Sequence, residues 1–314
     1  MITTEIRGLE ISKMTLGTAQ FGLHYGMTNR RGKPGTEEAG RMLATAAAAG
    51  INCLDTARLY GNSEDVIGAH LAAHPKMLVV SKFRIDHQRG VDASSIRMQI
   101  EESAAATLAA LNTSKIAIYM LHDNTDTDDL INLGDRITPV LRDLRDRGLI
   151  DHAGVSLYEA RQIDAVLEEP FYEAVQLPIN AFDSRLIQNG RLERLRRAGR
   201  IVFVRSVFLQ GLLLVEHPPK ELALAAPFLK ALRQLADANE VSVAELALLY
   251  VRDIEGVSSL VIGAETAEQI REDTALFAMP PLPAETIAKM QDLARKVPIE
   301  AIMKQIIVIG RRAR

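Results

Sequence analysis

The 314-residue sequence has no tryptophan, one cysteine, and aromatic residues at only 4% of positions. With Cys53 alone, no disulfide can form within the chain, so the fold must be held by core packing. One thiol is compatible with a reducing compartment without proving one. No apolar run approaches the roughly 18 residues of a membrane span. The first ten residues carry Glu5 and Arg7 and no apolar segment, so they do not read as a signal peptide. The expected location is therefore the cytoplasm, with no membrane partner. A surplus of one charge is also missing: 37 basic against 40 acidic side chains leave a net charge of -3. That balance gives no electrostatic reason to expect a nucleic-acid partner. Arg311, Arg312 and Arg314 form a small basic cluster, read as a solvated, frayed end. No metal site is expected.

What remains is 47% apolar and 25% charged, the proportions of a folded protein with a large core. This length fits either two ordinary domains or one large barrel. Eight short apolar stretches recur: Thr15 to Thr18, Ile51 to Thr56, Met77 to Lys82, Ile116 to His122, Ile150 to Ser156, Ala174 to Asn180, Ile201 to Phe208 and Ser259 to Gly263. The segments between them read as helices; Ile96, Ile100, Ala104, Leu108 and Leu111, for example, line one helical face. Gly50, Gly148 and Gly199 each stand where a helix should end before a strand. Continuous apolar runs such as Leu78-Val79-Val80 are those of strands buried on both faces, and alternation with helices implies a parallel sheet. Without a Pro/Gly/Ser-rich linker, the units favour an α/β fold of one closed (β/α)8 TIM barrel over residues 1-314. Thr4 to Ile11, centred on Arg7-Gly8, reads as a β-hairpin ahead of the barrel. The stretch from Leu212 to Ala226, with Pro218 and Pro219, reads as a long functional or mobile loop.

Barrel active sites lie at the C-terminal ends of the strands. Asp55, Lys82 and His122 close the second, third and fourth apolar runs. Each alone has an ordinary explanation, as a turn cap, a snorkelling lysine or a hydrogen-bonded histidine. If the face they share with Cys53 and Val80 points into the barrel, an acid, a base and a histidine converge at one mouth. Alternation puts Asp55 on the face of Cys53 and Ile51, and Lys82 on the face of Val80.

The run Asp55-Thr56-Ala57-Arg58-Leu59-Tyr60-Gly61-Asn62-Ser63-Glu64, preceded by Leu16-Gly17-Thr18 and Phe21-Gly22, resembles the signature of the aldo-keto reductase superfamily. Ser81-Lys82 and Leu121-His122 fall where that family has its other catalytic residues. The resemblance extends from the hairpin to Ile262-Gly263-Ala264 and implies a catalytic tetrad of Asp55, Tyr60, Lys82 and His122. Tyr60 would donate the proton in carbonyl reduction, Lys82 would supply a cation favouring its ionisation, Asp55 would hold Lys82, and His122 would orient the carbonyl oxygen.

The resemblance also implies NADP(H) or NAD(H), bound without a Gly-rich βα turn; Gly17 and Gly22 do not make a Rossmann fingerprint. The residues matched to the family's cofactor contacts are Gly17, Thr18, Asp55, Ser156, Gln176, Arg205, Ser206, Gly263, Glu265, Gln269 and Asp273. Three departures stand out. Leu157 replaces an asparagine, Arg205 replaces a tyrosine that stacks on the nicotinamide, and Glu265 and Asp273 are acidic where a 2'-phosphate would need cations. A guanidinium can also lie flat on a ring. The family pattern favours NADPH and the local residues NADH, and the choice stays open at this point.

The leading expectation is an NAD(P)H-dependent oxidoreductase interconverting a small-molecule carbonyl or sugar with its alcohol. Two others remain: an aldolase-like barrel using Lys82 as a Schiff-base lysine, and a non-catalytic cofactor-sensing subunit. Without tryptophan, the indole walls of relatives that take steroids or aromatic carbonyls must be missing. Two readings stand for Arg58 and Arg205: either both border the mouth and favour an anionic or polyhydroxylated substrate, or Arg58 pairs with a surface acid and Arg205 contacts only the cofactor.

Overall fold

The computed structural model describes every residue except 27, 28, 30, 124, 125, 313 and 314. An antiparallel hairpin of β1 (Thr3–Ile6) and β2 (Leu9–Ser12) comes first. Eight parallel strands follow: β3 (Met14–Gly17), β4 (Cys53–Asp55), β5 (Leu78–Phe83), β6 (Ile116–His122), β7 (Ile150–Ser156), β8 (Tyr172–Pro178), β9 (Ile201–Arg205) and β10 (Ser259–Gly263). They close in chain order, β10 pairing with both β9 and β3, and helices cover the outside. This is the (β/α)8 barrel with an N-terminal hairpin that the alternation predicts.

Local chemistry explains the ends of these elements. Arg7 and Gly8 both have positive φ, 53° and 76°, as a tight two-residue hairpin turn requires. Gly50, Gly148 and Gly199 are likewise left-handed and end their helices where expected. The helix Ala93–Ala110 opens on Asp92, whose carboxylate accepts from the backbone N–H groups of Ser94 and Ser95, and buries Ile96, Ile100 and Ala104.

Two apolar layers result. The outer one lies between strands and helices and takes Leu54, Val79, Phe83, Val155 and Val204 among many others. The inner one fills the barrel with Cys53, Val80, Ile118, Met120, Ala174, Ile201 and Phe203. Ile11 joins this inner cluster, with Ile6 and Leu9 against it, so the hairpin plugs the N-terminal end. Arg7 fastens the plug by donating to the carbonyls of Gly199 and Ala198. Burial pushes the Cys53 thiol up to about 12, so it packs as a small apolar group.

Several expected boundaries move. β9 stops at Arg205 and not at Phe208, because Ser206 has φ 60° and cannot continue a strand. The expected long loop is braced by short helical turns, Leu209–Leu214 and Lys220–Ala225, which bury Leu212, Leu213 and Leu222. The C-terminal helix Ile299–Arg312 runs through two of the three terminal arginines, where a frayed end was expected; Arg314 lies outside the described residues. Among the described residues no helix is long and apolar enough to cross a membrane.

Candidate active site

The inward rows of three neighbouring strands meet at the C-terminal mouth. Asp55 ends β4, Lys82 is the penultimate residue of β5, and His122 ends β6. Cys53 and Val80 face the inner cluster while Leu54, Val79 and Phe83 pack outward, so Asp55 and Lys82 point inward. Lys82 Nζ donates to Asp55 Oδ1 at 2.6 Å and to the Thr56 carbonyl at 2.9 Å, with both charged side chains buried. Gln176 Nε2, from β8, donates to the same Oδ1 at 2.6 Å. Loss of hydration lowers the Lys82 pKa, and the adjacent Asp55 carboxylate opposes that fall. With two donors committed, Lys82 is held as a fixed cation, an arrangement poorly suited to a Schiff-base nucleophile.

Tyr60 arrives on the loop between β4 and the helix Ser63–Leu71. Two glycines permit the close backbone approach that seats it. A Cβ on Gly22 would lie 1.6 Å from the Tyr60 carbonyl oxygen, and one on Gly61, at φ 58°, would lie 2.4 Å from that of Gly22. Ser63 Oγ ties the loop down by donating to the Thr18 carbonyl at 2.8 Å. The Tyr60 ring centroid is 5.2 Å from Lys82 Nζ, and the ring meets the His122 imidazole edge-on at 6.3 Å between centroids.

Protonation follows from burial. Desolvation raises the Tyr60 pKa well above the phenol range; Asp55 adds to the rise and Arg205 opposes it. The hydroxyl therefore carries its proton at neutral pH. His122 is pushed down to about 3 by burial, with Lys82, Arg205 and Arg84 adding, so its ring is neutral. A neutral imidazole keeps one N–H donor and one lone pair, and His122 Nδ1 has no partner among the described residues.

The residues matched to cofactor contacts divide into groups that face the mouth and groups already occupied. Gly17 and Gly263 end β3 and β10 in register, beside Asp55. The Thr18 hydroxyl donates to the Asp55 carbonyl and accepts from Ser63, so it holds the rim together. Ser156 ends β7 in register with His122 and Gln176, and its hydroxyl donates to Gln176 Oε1 at 3.4 Å. Leu157, where an asparagine was expected, turns outward into the apolar layer and is fully buried. Arg205 ends β9 on the inward row of Phe203, and Ser206 follows in left-handed backbone. At the far end Glu265 precedes the helix Ala267–Leu276; Gln269 caps it by accepting from Glu265 N, and Arg271 pairs with Glu268. Asp273 is buried with Oδ2 unpartnered, and desolvation with nearby Glu272 raises it to about 7. Among the described residues no group of His, Cys, Asp or Glu could hold a metal ion.

Tyr158 carries no role in the sequence reading, yet its ring lies under the Arg205 guanidinium at 4.2 Å. Only the strand end at Ser156 hints at it, two residues earlier. The expectation for Arg58 changes more. Its guanidinium pairs at 2.5 Å with Glu64, a buried carboxylate that also accepts from Ser81 and Thr107. Arg58 is thus spent on neutralising that buried charge.

Comparison with known proteins places the family. A model of the Aldo/keto reductase family matches residues 13–295. An uncharacterized oxidoreductase of Mycobacterium tuberculosis is 28% identical over 293 residues, covering 85% of this chain and 84% of the relative. The NADH-specific methylglyoxal reductase of Escherichia coli is 26% identical over 257 residues, covering 72% and 78%. Among solved structures, a holo aldo-keto reductase of Bacillus halodurans superposes with a TM-score of 0.77 at 24% identity, covering 94% and 96%. A glycerol dehydrogenase of Gluconobacter oxydans gives 0.73 at the same identity and coverage. The chain belongs to the aldo/keto reductase family of NAD(P)H-dependent oxidoreductases.

Proposed function

We propose that this chain reduces small carbonyl compounds with a nicotinamide dinucleotide, Tyr60 acting as the proton donor. The observation that carries the reading is the buried Lys82–Asp55 pair with the Tyr60 ring against Lys82 and His122 at its edge. Asp55 fixes Lys82; Lys82 and Arg205 place positive charge beside a phenol that must release a proton; neutral His122 can donate to the carbonyl oxygen. The bound dinucleotide would supply the hydride.

The residues present fit such a cofactor. Arg205 Nε and Asp273 Oδ2 are buried polar atoms without a protein partner, one near each end of the expected site. Ser156, Gln176, Arg205 and Ser206 would hold the nicotinamide half, with Gly17 and Thr18 at the rim, and Gly263, Glu265, Gln269 and Asp273 would hold the adenosine half. NADH is the better fit, since Glu265 is acidic, Gln269 is neutral, and Arg271 is already paired with Glu268. The NADH-specific relative and its small oxoaldehyde substrate support the same direction.

A panel of small aldehydes, ketones and sugars, followed by loss of reduced-cofactor absorbance with NADH and NADPH separately, tests the reading. Turnover of an aldehyde with NADH is expected. Tight cofactor binding without turnover would instead favour the cofactor-sensing role. Glu265→Arg should move the NADPH-to-NADH affinity ratio upward by about tenfold, equivalent to about 1.4 kcal/mol. Cofactor titrations by fluorescence measure that ratio; an unmoved one would mean Glu265 faces away from the ribose.

A further inference from the structure

The mouth carries more positive charge than the tetrad explains. Arg84 follows β5 by one residue, and its neighbours Phe83 and Ile85 both pack into the outer apolar layer. Alternation therefore turns Arg84 to the side of Val80 and Lys82, above the mouth. It is exposed, and no carboxylate of the described residues pairs with it. Arg205 stands on β9, four strands from β5 in the closed order and thus across the barrel. It stacks on Tyr158 and donates to the Leu157 carbonyl at 3.2 Å, again without a carboxylate partner among the described residues.

The acids that could balance these charges are committed elsewhere. Asp55 holds Lys82 and Gln176. Asp123, next to His122, accepts from the backbone N–H groups of Asp129 and Leu130. Glu64 holds Arg58, and Asp86 caps its own turn. Both free guanidiniums bear on His122, so their fields reach the point where a carbonyl would sit. Arg205 is half-buried and its Nε has no partner among the described residues, so an anion bound at the mouth would balance a charge left unpaired there, and solvated Arg84 can turn to the same anion. Because β5 lies away from β10 and the adenosine segment, the phosphates of the cofactor do not account for Arg84.

We propose that the mouth selects carbonyl compounds bearing an oxyanion, carboxylate or phosphate, with Arg84 reading the charge from one side and Arg205 from the other. This rests on the carbonyl-reductase reading above and names its substrate class. Guanidinium forks pair with either oxyanion through charge-assisted hydrogen bonds.

The test measures kcat/KM with NADH for three matched aldehydes, one with a terminal carboxylate, one with a phosphate monoester and one with a neutral amide. Wild type should prefer an anionic aldehyde by about tenfold or more, the size of one charge-assisted hydrogen bond. The preference should shrink as salt is raised. Arg84→Ala should lose most of it while leaving amide turnover and NADH affinity unchanged; Arg205→Met should reduce it further. An unreactive carboxylate, propionate, titrated into the NADH complex by calorimetry gives a readout independent of turnover, and Arg84→Ala should weaken it. The ranking of carboxylate against phosphate identifies the source of the anion. Reduction of the amide with no preference for either anion overturns the charge-selection inference alone. Equal losses on charged and neutral substrates in Arg84→Ala also overturn it, and failure to reduce any of the three overturns both readings.

Discussion

Replacing Tyr60 by phenylalanine should lower kcat by at least about 10²-fold, the contribution of a positioned general acid. The affinity for reduced cofactor should stay at its wild-type value. The variant is nearly isosteric: the ring remains edge-on to His122 and against Lys82, and only the hydroxyl is lost. Lys82, Asp55 and Gln176 keep their contacts, because none of their hydrogen bonds runs through Tyr60. Steady-state kinetics with a reactive aldehyde and fluorescence titration of NADH separate the two quantities. Parallel loss of binding and turnover would mean that the ring, and not the proton, carries the effect.

Lys82→Met should affect both the fold and the pH profile. Removing one partner of a buried ion pair leaves an uncompensated charge and costs about 3 to 5 kcal/mol. Among the described residues, the Asp55 carboxylate would retain only the Gln176 amide as a hydrogen-bond donor, and the Thr56 carbonyl would lose the Lys82 ammonium. Denaturant unfolding measures this cost. The second effect has a definite sign. Lys82 Nζ lies 5.2 Å from the Tyr60 ring centroid, and a cation at that range favours the phenolate; without it, Arg205 is left to oppose the burial and the Asp55 charge that raise the phenol pKa. The basic limb of the kcat profile should therefore move to higher pH, on a slower reaction. A limb that stays in place would assign the titration to another group.

Much of this site was legible because strand periodicity carries direction. Once Ile51 to Asp55 and Met77 to Lys82 are read as neighbouring buried strands, alternation puts Asp55 on the face of Cys53 and Lys82 on the face of Val80, and the inner cluster that holds Cys53 and Val80 makes that face the inward one. Glycine placement was legible for the same reason, since the helix ends need φ > 0 at Gly50, Gly148 and Gly199. Contacts made by side chains distant in sequence were not. Arg58 looked like a rim cation because its partner is Glu64, buried by the arrival of Ser81 and Thr107 from other elements. Gln176 was matched to a cofactor contact, yet its amide nitrogen is turned onto Asp55, across 121 residues of sequence. The early end of β9 was hidden as well, because an apolar run continues through Val207 and Phe208 after the backbone has turned left-handed at Ser206.

The most direct measurement follows the hydrogen itself. Wild-type protein would be incubated with an aldehyde and NADH carrying deuterium at the transferable position, and the product alcohol analysed by mass spectrometry. One deuterium on the former carbonyl carbon is expected in wild type, and almost no labelled alcohol with Tyr60→Phe. Unlabelled alcohol, or equal labelling in both proteins, would contradict hydride transfer assisted by the Tyr60 proton.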